Sequence, residues 1–292
     1  MAEIRDANSD DVQDIVPFLC QYMPGNRSAA HFERLIAYDW AEPNGSIGQL
    51  LVDEGAVKGV FAAIRSRRFV NGRWENLCSL GPWCLHPDYR NFTLPVVRAM
   101  VADKDTTYTA LSPTSEMQAF WQGLRWRELD DGKEVVLPLA GLLRRSIDRR
   151  VNVLTAAEDI LSHLGGEESR LYRDHDRNGC ICVLLKSHDH FCLVIAVYRS
   201  WKRFGYGDIL YASDWDFLWR HAGAISAVFA RRMRTVFLGI DRRRLPDRLR
   251  WSWPQDRKTF FLSPTLIPDD IDGLYSELVL NYGRPSVVVQ RT

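Results

Sequence analysis

No apolar run in this chain approaches the roughly 20 residues that span a bilayer, and its first residues include acids and no hydrophobic signal region. Membrane insertion and export are therefore not expected; a cytoplasmic location is. Net charge is almost absent: 38 Lys and Arg face 37 Asp and Glu, leaving a formal +1. A strong, nonspecific grip on nucleic acid needs a basic surface, so this balance argues against such a partner. Lysine is scarce beside arginine, and the runs Arg144-Arg145, Arg149-Arg150, Arg231-Arg232 and Arg242-Arg243-Arg244 read as solvated faces. Cysteine is sparse and scattered, at Cys20, Cys78, Cys84, Cys180, Cys182 and Cys192. Most of these sit inside apolar patterns and read as buried thiols of a reducing compartment. Cys180-x-Cys182 lies near His188 and His190, but no second pair with zinc spacing follows, so no metal is expected.

What is present fits two domains. The 292 residues, 46% of them hydrophobic, suffice for one large domain or two of about 150 residues each, and the element order favours two. Residues 3–6 read as a strand, and Ser9 is placed as the cap of a helix with Val12, Ile15, Val16 and Leu19 on one face. Pro17 should kink or break that helix. A second short helix follows near Ala29 to Tyr38. Strands over 49–52, 57–69 and 74–85 are separated by Asp53-Glu54-Gly55 and Asn71-Gly72, the latter a strong signal for a tight hairpin. Helix, strand, helix and a last strand over 134–137 complete the first half. After a basic linker the order repeats in weaker form. Strands run over 180–185, 191–198 and 208–212, a long helix over 214–233 and a strand over 236–240, and Leu262 with 274–279 closes the second half.

One segment says more. A strand over 77–85 runs into His86-Pro87-Asp88-Tyr89-Arg90, then an amphipathic helix, then the strand 107–111. After Ser112-Pro113-Thr114 a second helix ends in Gly123-Leu124-Arg125-Trp126. This order resembles the acyl-CoA-binding core of the GNAT superfamily of N-acyltransferases, whose pattern is strand, V-x-P-x-Y-R-G-x-G-x-G, strand, Y-x-x-L-G-F. The resemblance covers about 1–140. It implies an α/β (α+β) fold of two GNAT-like domains, each a mixed, mostly antiparallel sheet flanked by helices: 1–140, a linker over 141–150, and a degenerate copy over 151–292.

The same resemblance implies acetyl-CoA or another acyl-CoA as co-substrate and a small amine- or hydroxyl-bearing acceptor. Trp83, Cys84 and Leu85 would meet the pantetheine arm. Arg90, Asn91, Phe92, Thr93 and Leu94 would meet the pyrophosphate, with Thr114 and Trp121 nearby. The loop departs from the family where Thr93 and Pro95 replace glycines, which elsewhere let backbone approach phosphate closely. Thr93 can donate a hydroxyl, and the amides from Asn91 to Leu94 remain as donors. Trp121 replaces the tyrosine that usually protonates the thiolate, and an indole cannot deliver that proton. The fourth strand also lacks a glutamate near the reaction centre. Tyr108 and His86 are the candidate acid and base, each with a bland alternative as packed strand tyrosine and loop histidine. Cys84 is chemically able to carry an acyl group, against the plainer reading of a buried thiol. The second half has no phosphate loop; Tyr211, Trp215, Trp219, Trp251 and Trp253 are candidates for an acceptor pocket or for packing. Two rival functions stay open: a noncatalytic protein that kept the fold, and an aminoacyl-tRNA-dependent transferase, which the charge balance disfavours.

Overall fold

Leu50 and Leu51 are neighbours in one strand and both are fully buried. Adjacent strand residues face opposite sides, so this sheet must be covered on both. Leu50 joins Ile15, Leu19 and Phe32 in one core cluster, and Leu51 joins Val96, Val97 and Met100 in another. The computed structural model describes all residues except 24, 26, 41–44, 130–131, 139–150, 189, 202–203, 246–251, 256–257 and 284–292.

The chain forms two units. The first comprises Met1–Leu129, Thr259–Ile271 and Tyr275–Asn281. Its elements are β1 (Glu3–Ala7), α1 (Val12–Tyr22), α2 (Ala29–Ile36), β2 (Gly48–Asp53), β3 (Ala56–Val70), β4 (Arg73–Leu85), α3 (Thr93–Met100), β5 (Thr106–Ala110), α4 (Ser115–Gly123) and β6 (Arg127–Leu129). Pro17 lies inside α1 without ending it. Ser9, expected as the cap of α1, instead opens a 3₁₀ turn over Ser9–Asp11 that Asn8 caps: Asn8 accepts from Asp10 N–H at 2.9 Å, and Asp11 accepts from Asn8 N–H at 2.9 Å. Asn71 (φ 50°) and Gly72 (φ 83°) form the tight turn between β3 and β4.

The second unit holds β7 (Lys133–Val136), β8 (Asn152–Leu154), α5 (Ala157–Leu161), α6 (Gly166–Arg177), β9 (Ile181–Lys186), β10 (Phe191–Trp201), β11 (Phe204–Ala212), α7 (Trp215–Arg220), α8 (Ala222–Met233), β12 (Leu238–Asp241) and β13 (Ser252–Gln255). The single helix expected over 214–233 is two helices, broken at His221 (φ −119°, ψ 19°). Phe217, Leu218, Ile225 and Phe229 still share one core with the strands. Among the described residues no helix is long and apolar enough to cross a membrane.

Two late elements, β14 (Thr259–Leu262) and α9 (Glu277–Tyr282), complete the set. The first sheet runs β1-β2-β3-β4-β5-β14-β6 and the second β8-β9-β10-β11-β12-β7-β13. These are one plan used twice, each antiparallel except at one pair, β4 with β5 and β11 with β12. The strand over 133–136, expected to close the first sheet, lies between β12 and β13 of the second. Leu262, expected to close the second, lies in β14 between β5 and β6 of the first. Element order along the chain cannot reveal such an exchange, because either edge accepts an apolar strand. One polar cluster does mark it. Lys133 of β7 pairs with the fully buried Asp208 of β11, which Arg199 of β10 also reaches at 3.0 Å. The intervening β12 residue is Gly239, where a Cβ would stand 2.4 Å from the Tyr206 ring and 3.3 Å from Asp208 Oδ1. The linker expected over 141–150 lies outside the described residues.

Candidate active site

The parallel ladder of β4 and β5 runs only from Asn76↔Thr106 to Ser79↔Thr109. Past Ser79, β4 keeps its pairing with β3 alone, so the two strands diverge. Opposite Ala62 the β3–β4 register shifts, pairing Ala63 with Leu80 and Phe61 with Trp83. Gly81 and Pro82 thus form a bulge, which resets the alternation of side chains. Leu80 and Trp83 consequently face the same side, toward α3 and α4. There a narrow apolar cleft, its free volume about 10 Å³ and so roughly room for one water, is lined by Phe61, Leu80, Gly81, Trp83, Met100 and Trp121, among others.

Aromatic rings crowd this cleft. Trp83 lies 4.4 Å from Phe61, 5.5 Å from Phe120 and 5.6 Å from Trp121, measured between ring centroids. Trp121, only 2% exposed, packs on Trp126 at 4.3 Å. Offset and edge contacts of this kind hold the end of α4 against the sheet. Leu85 joins the same cluster, whereas Cys84 points to the opposite face, among the residues packed under α1 and α2. Burial pushes the Cys84 thiol up to about 11.

The segment after β4 is a short 3₁₀ helix, Pro87–Phe92, where a glycine loop was the family's expectation. Its turns use backbone donors internally: Tyr89 N–H donates to the His86 carbonyl at 2.9 Å and Thr93 N–H to that of Arg90. The Thr93 amide is therefore not free for an anion. Tyr89 ties the segment to the β2–β3 hairpin by donating to Asp53 Oδ2 at 2.7 Å. Arg90 and Asn91 are exposed; Phe92, Thr93 and Leu94 are half-buried at the start of α3. The Arg90 guanidinium forms no ion pair with any described residue.

His86 caps this helix, its Nδ1 accepting from Asp88 N–H at 3.3 Å, with its ring 5.1 Å from that of Tyr22. Tyr108 is a core residue, 1% exposed, and its hydroxyl donates to the Asp103 carbonyl at the start of β5, 3.3 Å away. That is the end of β5 opposite to the divergence. Burial, with the neighbouring Cys78, raises its hydroxyl to about 12. Thr114 caps α4, accepting from Met117 N–H at 3.4 Å. The candidates thus separate: Trp83 and Trp121 line the cleft, Arg90 to Leu94 lie in the 3₁₀ segment and at the start of α3 outside its lining, and Cys84 and Tyr108 belong to packing.

The structure brings one acid to the divergence that sequence reasoning missed. Glu277, 4% exposed, opens α9. Its Oε2 accepts from Ser79 Oγ at 2.5 Å and its Oε1 from Ser112 Oγ at 2.8 Å. Ser79 is the last β4 residue still paired with β5, and Ser112 follows the end of β5. Only the occurrence of a carboxylate inside the apolar run Leu274 to Leu280 could have drawn attention to it.

In the second unit, Trp215 and Trp219 pack against the sheet core, and Trp219 Nε1 donates to the Arg244 carbonyl at 2.8 Å. Trp253 is 39% exposed beside Phe237, and Tyr211 is half-buried; Trp251 lies outside the described residues. All six cysteines are free and only Cys20 is exposed. Among the described residues no cluster of His, Cys, Asp and Glu could hold a metal.

No family model matches the sequence, and no curated protein matches it significantly. Solved structures do match in shape. A GCN5-related N-acetyltransferase of Anabaena variabilis superposes with a TM-score of 0.58 at 9% identity, over 89% of this chain and 72% of that one. One from Kribbella flavida gives 0.57 at 12% identity, over 89% and 70%. A probable N-acyltransferase of Enterococcus faecalis gives 0.57 at 9%, over 89% and 72%. At such identities the likeness is one of fold, and it agrees with the paired sheets, each with a single parallel pair. The chain folds as a tandem of GCN5-related N-acetyltransferase-like units.

Proposed function

We propose that the first unit binds an acyl-CoA and transfers its acyl group to the amine of a small acceptor, with acetyl as the default donor and a hydroxyl acceptor as the lesser case. The observation that carries this reading is the divergence of β4 from β5 beside an apolar cleft, with the segment after β4 carrying an exposed Arg90 that has no ion pair among the described residues. Unpaired backbone of β4 beyond Ser79 and the apolar lining suit a pantetheine arm. The Arg90 guanidinium suits a pyrophosphate, since it presents a fork of donors to phosphate oxygens. That two of the neighbouring folds named above are GCN5-related N-acetyltransferases and the third a probable N-acyltransferase supports the same chemistry. Attack by an amine on a thioester needs chiefly proximity and a polarised carbonyl, so the missing tyrosine does not forbid it.

A second reading has its own observation. Trp83 and Trp121 crowd the cleft and the Thr93 amide is committed to its own turn, as in a binding module that no longer turns over. Thiol release from acetyl-CoA, measured against a panel of primary amines, separates the two. Amine-dependent release is expected; binding of acetyl-CoA without release by any amine would favour the noncatalytic module.

A further inference from the structure

Resting on that acyl-CoA reading, we propose that Trp83 sets the length of the acyl group: its ring closes the pocket into which a chain longer than acetyl would extend. The donor is therefore a short-chain thioester. The β4 bulge is the local cause. In an unbroken strand Trp83 would share a side with Ser79 and Gly81, opposite Leu80. The extra residue at Gly81-Pro82 turns it to the side of Leu80, over the cleft beside α3 and α4.

A pantetheine arm that follows β4 from Leu85 back toward the divergence brings its thioester near Leu80 and Gly81, the first residues past the last β4–β5 pair. Both line the cleft, so a chain running on from the carbonyl enters there. It meets filled space. The free volume is about 10 Å³, roughly one water, which suits the methyl of an acetyl group and little more. The walls differ in what they hold together. Val97 and Met100 are buried core residues of α3, and Trp121, 2% exposed, is stacked on Trp126 at 4.3 Å. Trp83 is only half-buried, and its ring fills the space between Phe61 at 4.4 Å, Phe120 at 5.5 Å and Trp121 at 5.6 Å. Taking away this one ring would add its volume to the cleft without removing a fully buried group. Every lining residue is hydrophobic or glycine, so the enlarged pocket would favour hydrocarbon, by about fourfold in affinity for each methylene buried.

The test is calorimetric titration of wild type and Trp83→Ala with acetyl-, butyryl- and octanoyl-CoA, with free CoA as the reference. Wild type should bind acetyl-CoA about tenfold or more tightly than octanoyl-CoA, as expected of a filled apolar pocket. In Trp83→Ala the ratio of octanoyl-CoA to acetyl-CoA affinity should rise by about tenfold or more, from the methylenes newly buried, with butyryl-CoA in between. A general loosening of the fold would weaken all the thioesters alike, so an unchanged ratio overturns the proposal. Wild type binding octanoyl-CoA as tightly as acetyl-CoA overturns it too. Binding of no thioester by either protein would instead remove the donor reading beneath it. If Trp83→Ala does not fold, Trp83→Leu serves: a ratio raised severalfold supports the proposal and an unmoved one overturns it.

Discussion

A thiol surrounded by apolar groups stays protonated at neutral pH, and a protonated thiol is a poor nucleophile. Cys84 is in that condition, as are Cys78 and Cys192, each raised to about 11 mainly by burial. Ellman's reagent on the folded protein should therefore titrate one thiol, Cys20; fast reaction of further thiols would refute this packing. Asp208 shows the opposite balance. Burial alone would raise it, but Lys133 and Arg199 outweigh burial and hold it ionised below the usual range. Asp208→Asn strands two buried cations and should cost about 3–5 kcal/mol, read from urea unfolding; a loss within 1 kcal/mol would contradict it. Asp11 is lowered first by its bond to Arg5 and then by Asn8 N–H, against a burial penalty. Its folded pKa lies below the unfolded value of about 3.9. Its stabilisation is thus full above that pH and is lost as pH falls through the folded value. The gap in unfolding midpoint between wild type and Asp11→Asn should be constant from pH 7 to 5 and close below about pH 4. Residue chemistry was partly legible: five of the six cysteines are buried, as their apolar surroundings imply. Glu277 was not legible, since its meaning comes from serines about 165 and 198 positions away.

Elements are legible where local chemistry decides them. Asn71-Gly72 needs positive φ at both positions and has it, and the strand alternation around Leu50, Val60 and Ile64 follows the two-sided burial. Local rules misled where geometry was borrowed from a relative. Without its glycines, the segment after β4 winds into a 3₁₀ helix that spends the Tyr89 and Thr93 amides on its own turns. The Trp121 cluster then does what the loop alone does not, pinning α4 to the sheet. Trp121→Ala should lower stability by about 3–5 kcal/mol, seen as an earlier urea midpoint. A change below about 1 kcal/mol would mean that the cluster is loosely packed.

For the whole molecule, the exchanged strands matter most. A fragment of residues 1–140 lacks β14, so β6 would lose its partner and β5 one of its two, exposing unpaired ladder groups. It also lacks Glu277. Such a fragment should be aggregated or without dispersed amide resonances; a soluble, well-dispersed fragment would contradict the topology. This exchange lay beyond sequence reading because β7 and β14 carry the same kind of apolar pair, Val135-Val136 and Phe260-Phe261, and pattern alone does not assign a sheet. The central claim, that the divergence of β4 and β5 receives an acyl-CoA gripped by Arg90, is tested most directly by calorimetric titration of wild type and Arg90→Ala with acetyl-CoA. Micromolar binding by wild type, at least tenfold weaker in Arg90→Ala with unchanged unfolding, is the predicted result; no binding at millimolar acetyl-CoA, or equal affinity in the two proteins, would contradict it.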